Sequence, residues 1–292
     1  GVVAASGTLA SLIPPSVILV IYGIITEQSI GALLIGGFIP GVISAAIYAG
    51  MIYTRVKITP ELGKLQPKVS WKERFYALKG TWGVLVLIIL IIGGIYSGVF
   101  TPTEAGGAGA FSAFLMALAM RRLSVERLKE SLLETGRTTI MIFSIIVGVL
   151  IFVRFLALTG LPSSFADFII ALPLPRLLII LLLMSLYVFL GMFLDAIGMM
   201  MLTLPIIFPA VIALGYDPIW FGIIIVKMCE ICLITPPVGL NVYIVRSVAP
   251  DIPLEEIFRG IIPFVAMDVL TVALFIAFPQ IITFLPNQML GY

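Results

Sequence analysis

Leu12-Ile13-Pro14-Pro15-Ser16 interrupts an apolar run from Gly1 to Ile25, and Leu233-Ile234-Thr235-Pro236-Pro237-Val238-Gly239 interrupts another from Phe221 to Val248. The echo continues downstream. Gly37-Phe38-Ile39-Pro40 is matched by Gly260-Ile261-Ile262-Pro263, at an offset of 223 residues against 222 for the prolines. Proline lacks the amide donor and its ring strikes the preceding turn, so each Pro-Pro pair predicts a broken helix. Paired Gly/Pro-interrupted membrane segments in two halves of a chain point to the binding site of a secondary transporter.

Composition supports a membrane setting. Of 292 residues 61% are hydrophobic and 11% charged, with a mean hydropathy of +1.22, against about 45–50% and 25% in soluble domains. The charges fall in a few short segments, which leaves apolar runs of bilayer-spanning length. The fold class expected is therefore an all-α polytopic membrane protein. The absence of histidine removes Ser-His-Asp triads, His-ligated metals and His proton relays, so an enzyme is not expected. Cys229 and Cys232 form a CxxC within an apolar segment and read as packing residues, since a redox pair needs access to water. No P-loop signature occurs, so ATP is not expected to bind here, and nothing points to nucleic acid.

The apolar segments run over about 1–25, 30–53, 82–100, 104–120, 138–158, 177–194, 197–214, 218–249 and 261–285. Arg55, Lys57, Lys64, Lys68, Lys72, Arg74 and Lys79 fill one connection, and Arg121, Arg122, Arg127, Lys129 and Arg137 fill another. The positive-inside rule makes both cytoplasmic. Alternation then places fourteen of the seventeen Lys and Arg residues inside and Arg176 outside, with Arg154 and Lys227 in membrane segments. In that arrangement the first Pro-Pro segment runs from inside to outside and the second from outside to inside, the relation expected of an inverted repeat. Segments 177–194 and 197–214 are joined by Gly191-Met192-Phe193-Leu194-Asp195-Ala196-Ile197-Gly198-Met199, too apolar for a turn in water. They read as a re-entrant hairpin, 177–214, with its tip near the membrane middle; two full spans would give the same sidedness. Trp71 to Trp82, Leu123 to Leu133 and Leu254 to Phe258 read as short amphipathic stretches on the inside. The first, with aromatic and basic residues side by side, suits the headgroup layer.

A helix broken in mid-membrane exposes carbonyls on one side of the break and amides on the other. The carbonyls suit a hard cation such as sodium, and the amides with the positive dipole end suit an anion. Candidate site residues are Gly7, Thr8, Pro14, Pro15 and Ser16 at the first break, and Thr235, Pro236, Pro237, Gly239 and Asn241 at the second. A plain proline kink is the alternative at each. Asp195 is the sharpest single candidate, because an ionisable group within the membrane is costly unless paired. With Gly198 beside it and Thr203 nearby, it reads as a carboxylate ligand for sodium, or as a helix cap at the hairpin tip. Thr235 is the other metal-ligand candidate. Lys227 and Glu230, three apart on one face, read as a structural pair. Arg154 and Asp268 stand as lone intramembrane charges, and the twelve methionines read as adaptable packing.

Three motifs resemble the large membrane (permease) subunit of tripartite ATP-independent periplasmic (TRAP) transporters. They are Gly7-Thr8-Leu9-Ala10-Ser11-Leu12-Ile13-Pro14-Pro15-Ser16, Gly98-Val99-Phe100-Thr101-Pro102-Thr103-Glu104-Ala105 and Ile234-Thr235-Pro236-Pro237-Val238-Gly239-Leu240-Asn241. Asp195-Ala196-Ile197-Gly198-Met199 and Gly215-Tyr216-Asp217-Pro218 fit the same pattern. The resemblance implies an elevator-type, sodium-coupled importer of small organic acids such as C4-dicarboxylates or sialic acid, in the bacterial inner membrane. It also implies two partners, a small four-helix membrane subunit and a periplasmic substrate-binding protein, and no cofactor other than sodium as coupling ion. The family places a re-entrant tip and scaffold helices before the position of Gly1, so an N-terminal part is expected upstream.

The expected division is 1–53 as the end of a first transport repeat and 54–158 as amphipathic arms and scaffold spans. Residues 159–292 form a second repeat, with the hairpin 177–214, the broken helix 218–249 and a last span 261–285. Two other readings stand beside the importer: an ion-coupled anion permease without a binding protein, and a structural membrane subunit that transports nothing.

Overall fold

The structure is a computed structural model that describes residues 1–63, 70–78, 80–237 and 239–290. Lys64, Lys68 and Lys79 of the basic connection and Val238 of the second break lie outside the described residues. The described chain is helical throughout, as an all-α polytopic membrane protein should be, and it divides into two compact units. One comprises Gly1–Lys64 with Gly160–Tyr292, the other Leu65–Thr159.

The larger unit starts with α1 (Val2–Thr8), which continues as a 3-10 turn over Leu9–Ser11. After the Pro14-Pro15 break come α2 (Val17–Thr26) and the 29-residue α3 (Ile30–Ile58), with Pro40 inside it. Ser29 caps α3 through its hydroxyl, and Arg55 and Lys57 in the last turn suit the negative end of the helix dipole.

The smaller unit contains α4 (Trp71–Leu78), α5 (Trp82–Tyr96), α6 (Pro102–Ala119) and α7 (Val125–Thr159). Ser70 and Glu73 cap α4 reciprocally, and these bonds hold the Glu73 carboxyl below the usual carboxylate range. Arg74 lies over the Trp71 ring at 4.8 Å, the aromatic–cationic pairing expected of a headgroup-layer helix. In the Gly98–Ala105 motif Thr101 and Glu104 form a second capping box, with Pro102 opening α6. The stretch 123–133 is not a separate element. It runs without a break into the span 138–158 as the single 35-residue α7, because only Gly136 interrupts the helix formers between them.

The chain returns to the larger unit through Gly160, whose φ of 69° stops α7. α8 (Leu161–Ala171) follows, a short helix opened by Pro162 that the apolar segments above do not contain. Next come α9 (Arg176–Gly191) and α10 (Ala196–Ala213), the two arms of the hairpin. At 1.5 Å per residue they are about 24 and 27 Å long. The second broken segment consists of α11 (Pro218–Ile234) and α12 (Leu240–Val248). α13 (Leu254–Ala277) absorbs the amphipathic stretch 254–258, and α14 (Gln280–Leu290) follows it. The expected last span 261–285 is thus two helices. Pro279 removes the amide that would continue α13.

α11 forms the centre of this unit. Fifteen of its seventeen residues are buried, and it packs against α1, α2, α3, α9, α10, α12, α13 and α14. Apart from Lys227 and Glu230 its residues are apolar on every side, so it has no solvent face to offer and burial all round is the outcome. Among the described residues four helices, α3, α7, α10 and α13, are long and apolar enough to cross a membrane by length and composition.

Candidate functional site

The two breaks share an order of elements. Each has a helical segment, a Pro-Pro pair in the cis form, a helix of ten or nine residues, and a long helix with an interior proline. Beyond that they differ. Ser16 is the N-cap of α2: its hydroxyl accepts from the Leu19 amide at 3.3 Å and donates to the Ser11 carbonyl. α12 starts from Gly239, which has φ +53° and no side chain to cap with. Its left-handed conformation is one that glycine adopts freely and L-residues avoid.

Asp195 caps α10 at the hairpin tip. Its Oδ2 accepts from the amides of Ile197 and Gly198 at 3.1 and 3.2 Å, while the residue stays exposed. The cap therefore occupies one carboxylate oxygen and leaves the residue accessible. Gly191, Phe193, Leu194, Asp195 and Ala196 of the tip face Cys232, Leu233, Gly239 and Leu240 of the second break across a cleft of about 120 Å³. This approach depends on Gly191, where a Cβ would lie 1.7 Å from Cys232 Sγ.

Other candidates fall around this cleft without lining it. Thr235 is half-buried and turns its hydroxyl back to the Ile231 carbonyl at 2.6 Å. Pro236 and Pro237 are exposed. Asn241 Nδ2 donates to the Ala4 carbonyl at 3.2 Å and lies beside Gly7, which ties the second break to α1. Thr8 is buried, and its hydroxyl donates to the Ala5 carbonyl. Pro14 and Ser16 are buried, Pro15 is exposed, and none of the three faces the Asp195 cleft. Thr203 donates to the Met199 carbonyl and pairs with Tyr187 at 2.7 Å, which joins the hairpin arms. Cys229 and Cys232 are buried free thiols near carbonyls of the hairpin, in keeping with packing.

Lys227 and Glu230 pair at 2.6 Å, as their spacing predicts, but they are not alone. Asp268 is not a lone charge: Lys227 Nζ lies 2.7 Å from its Oδ1, and the Tyr48 hydroxyl donates to the same oxygen at 2.6 Å. The three charged side chains have no exposure to solvent. Asp268 and Tyr48 carried no pairing signal, since they meet across 220 residues of chain.

Residues 1–281 match the family of the tripartite ATP-independent periplasmic transporter, DctM component. The chain belongs to this family. It is similar to the sialic acid TRAP transporter large permease protein SiaM of Vibrio cholerae, 36% identical over 294 residues that cover 100% of this chain and 68% of that protein. It is also similar to the C4-dicarboxylate TRAP transporter large permease protein DctM of Pseudomonas aeruginosa, at 37% over 291 residues, covering 98% and 67%. The ectoine TRAP transporter large permease protein TeaC of Halomonas elongata is 34% identical over 284 residues, covering 96% and 65%. The chain thus spans about two thirds of the length of these TRAP large permeases. These relatives are named as transport permeases rather than enzymes, so the paired breaks and the hairpin belong to a multi-pass membrane subunit of a TRAP transporter.

Proposed function

We propose that this TRAP large subunit carries the translocation site of a sodium-coupled importer of small organic acids, handed over by a periplasmic binding protein. One observation supports it most: the Asp195 tip and the uncapped start of α12 face a single cleft. The amides that open α12 have no side-chain partner in Gly239, and with the positive dipole end they suit a carboxylate. The Asp195 carboxylate, the Thr235 hydroxyl and carbonyls at the end of α11 are hard oxygen donors that suit sodium. Sialic acid, C4-dicarboxylates and ectoine, the substrates in the relatives' names, all carry a carboxylate.

The charge distribution, with the first break running outward and the second inward, supports an inverted repeat that moves as an elevator in the bacterial inner membrane. A small four-helix membrane subunit is the expected partner in that membrane. The first break contributes through Gly7 on α1, beside the Asn241 side chain of the second break.

Uptake into proteoliposomes tests this reading. An inward sodium gradient should drive accumulation of the acid only when the binding protein is present, and neither ATP nor a proton gradient should replace it. Asp195→Asn keeps a capping side chain but removes the charge, so it should abolish sodium dependence while the protein stays folded. Unchanged sodium-coupled uptake in that variant would exclude Asp195 from the site. Uptake without a binding protein would favour a plain anion permease instead.

A further inference from the structure

Eight residues before Thr235, α11 carries a charge imbalance. Lys227 supplies one positive charge, while Glu230 and Asp268 supply two negative ones, and all three are fully buried. Tyr48 contributes a hydrogen bond to Asp268 but no charge. A net negative charge sealed in a protein interior is strongly unfavourable unless something compensates it.

The unpaired atoms show where compensation fits. Lys227 takes Glu230 Oε2 and Asp268 Oδ1, which among the described residues leaves Glu230 Oε1 and Asp268 Oδ2 buried with no hydrogen-bond partner. A third buried oxygen, Ser44 Oγ, is also without a partner. Ser44 stands one turn before Tyr48 and shares its face of α3, since residues four apart stack on a helix. Its state is unusual for this chain. The hydroxyls of Thr8, Thr26, Thr203 and Thr271 each donate to a carbonyl one turn back on their own helix, and Ser44 does not. Buried polar atoms without a partner are rare in folded proteins.

We propose that Glu230, Asp268 and Ser44 form a binding site for a small monovalent cation, separate from the cleft at Asp195. Three hard oxygens from α11, α13 and α3 suit an alkali ion, and one positive charge brings the cluster to neutrality. A divalent ion would overshoot it. None of the three residues lines the Asp195 cleft. The ion binds where the long helices that follow each break, α3 and α13, meet α11, so it holds the two halves of this unit together.

Thermal unfolding of the purified protein in detergent tests this, read with a thiol-reactive dye on the buried Cys229 and Cys232. Sodium chloride replacing choline chloride at constant ionic strength should raise the midpoint by about 5 °C at saturation. The rise should persist in an Asp195→Asn, Thr235→Ala double variant, which lacks both side chains proposed to hold sodium at the second break. Glu230→Gln removes a ligand and the excess charge together, so once it is added to that double variant the protein should melt at one temperature in both salts. Ser44→Ala leaves the charge in place and should raise the half-saturating sodium concentration about tenfold. The site is refuted by loss of the rise in the double variant, by its survival once Glu230→Gln is added to that variant, or by an unchanged half-saturation in Ser44→Ala. A wild-type midpoint that follows pH and ignores sodium also refutes it, with a proton closing the charge instead. The readout is unfolding, so a finding that uptake is not sodium-driven would overturn the transport reading without touching this one.

Discussion

At the first Pro-Pro break the chain completes its own helix start: Ser16 accepts from the Leu19 amide and donates to the Ser11 carbonyl. At the second, Val238 occupies the sequence position of Ser16, and α12 starts from Gly239 with no side-chain cap. The second faces a cleft with an exposed carboxylate at its rim. Two segments that look like copies in sequence are thus finished differently, one satisfied from within and one left with amides to offer. Under the proposed function, the difference means that a broken helix offers amides to a ligand where no side chain caps its first turn.

The largest effect on this comparison should come from Gly191, which lets the hairpin approach the second break. Gly191→Ala places a methyl group inside the position of Cys232 Sγ, and overpacking of this kind costs about 1–3 kcal/mol. The unfolding midpoint should fall, and sodium-dependent uptake should weaken as the tip moves off the break. A Cys232→Gly partner substitution should recover part of both losses. If Gly191→Ala lowers stability but leaves uptake intact, the seating of the tip does not matter for transport.

How much of this was legible in the sequence depends on the range of the interaction. The breaks, the helix after each and the Lys227–Glu230 pair follow from local chemistry, and all of them stand in the structure. Asp195 read as a ligand, with a helix cap as the alternative; the cap is visible in the geometry, while the exposed remainder leaves room for the other role. Asp268 read as isolated because its partners lie on α11 and α3, and no pattern in one sequence joins positions so far apart. α8 escaped because eleven residues are too few to span a bilayer, although Gly160 and Pro162 are an ordinary stop and start. The split after α13 had a readable signal in Pro279, outweighed by the continuous apolar run around it.

A smaller effect is expected at Gly239. Alanine there must adopt φ near +53°, at a cost of about 1–2 kcal/mol. Its Cβ would also sit 3.3 Å from the Thr235 carbonyl oxygen and the Phe258 ring. If the open start of α12 binds the acid, Gly239→Ala should weaken substrate affinity as well as lower the midpoint. A loss of stability with unchanged affinity would reduce Gly239 to a turn residue.

The smallest effect is expected at Ser16, and it tests the comparison from the other side. Ser16→Ala removes the cap of α2, worth about 1 kcal/mol, which is a fall of about 2–4 °C in the midpoint. Because the Ser16 hydroxyl already donates to Ser11 and accepts from Leu19, the half-saturating sodium concentration for uptake should not change. Ser16→Thr keeps an acceptor at the same place and should restore most of the stability. A shifted sodium requirement in Ser16→Ala would mean that the hydroxyl also serves an ion. The two breaks would then differ in how they are capped at rest rather than in what they can bind.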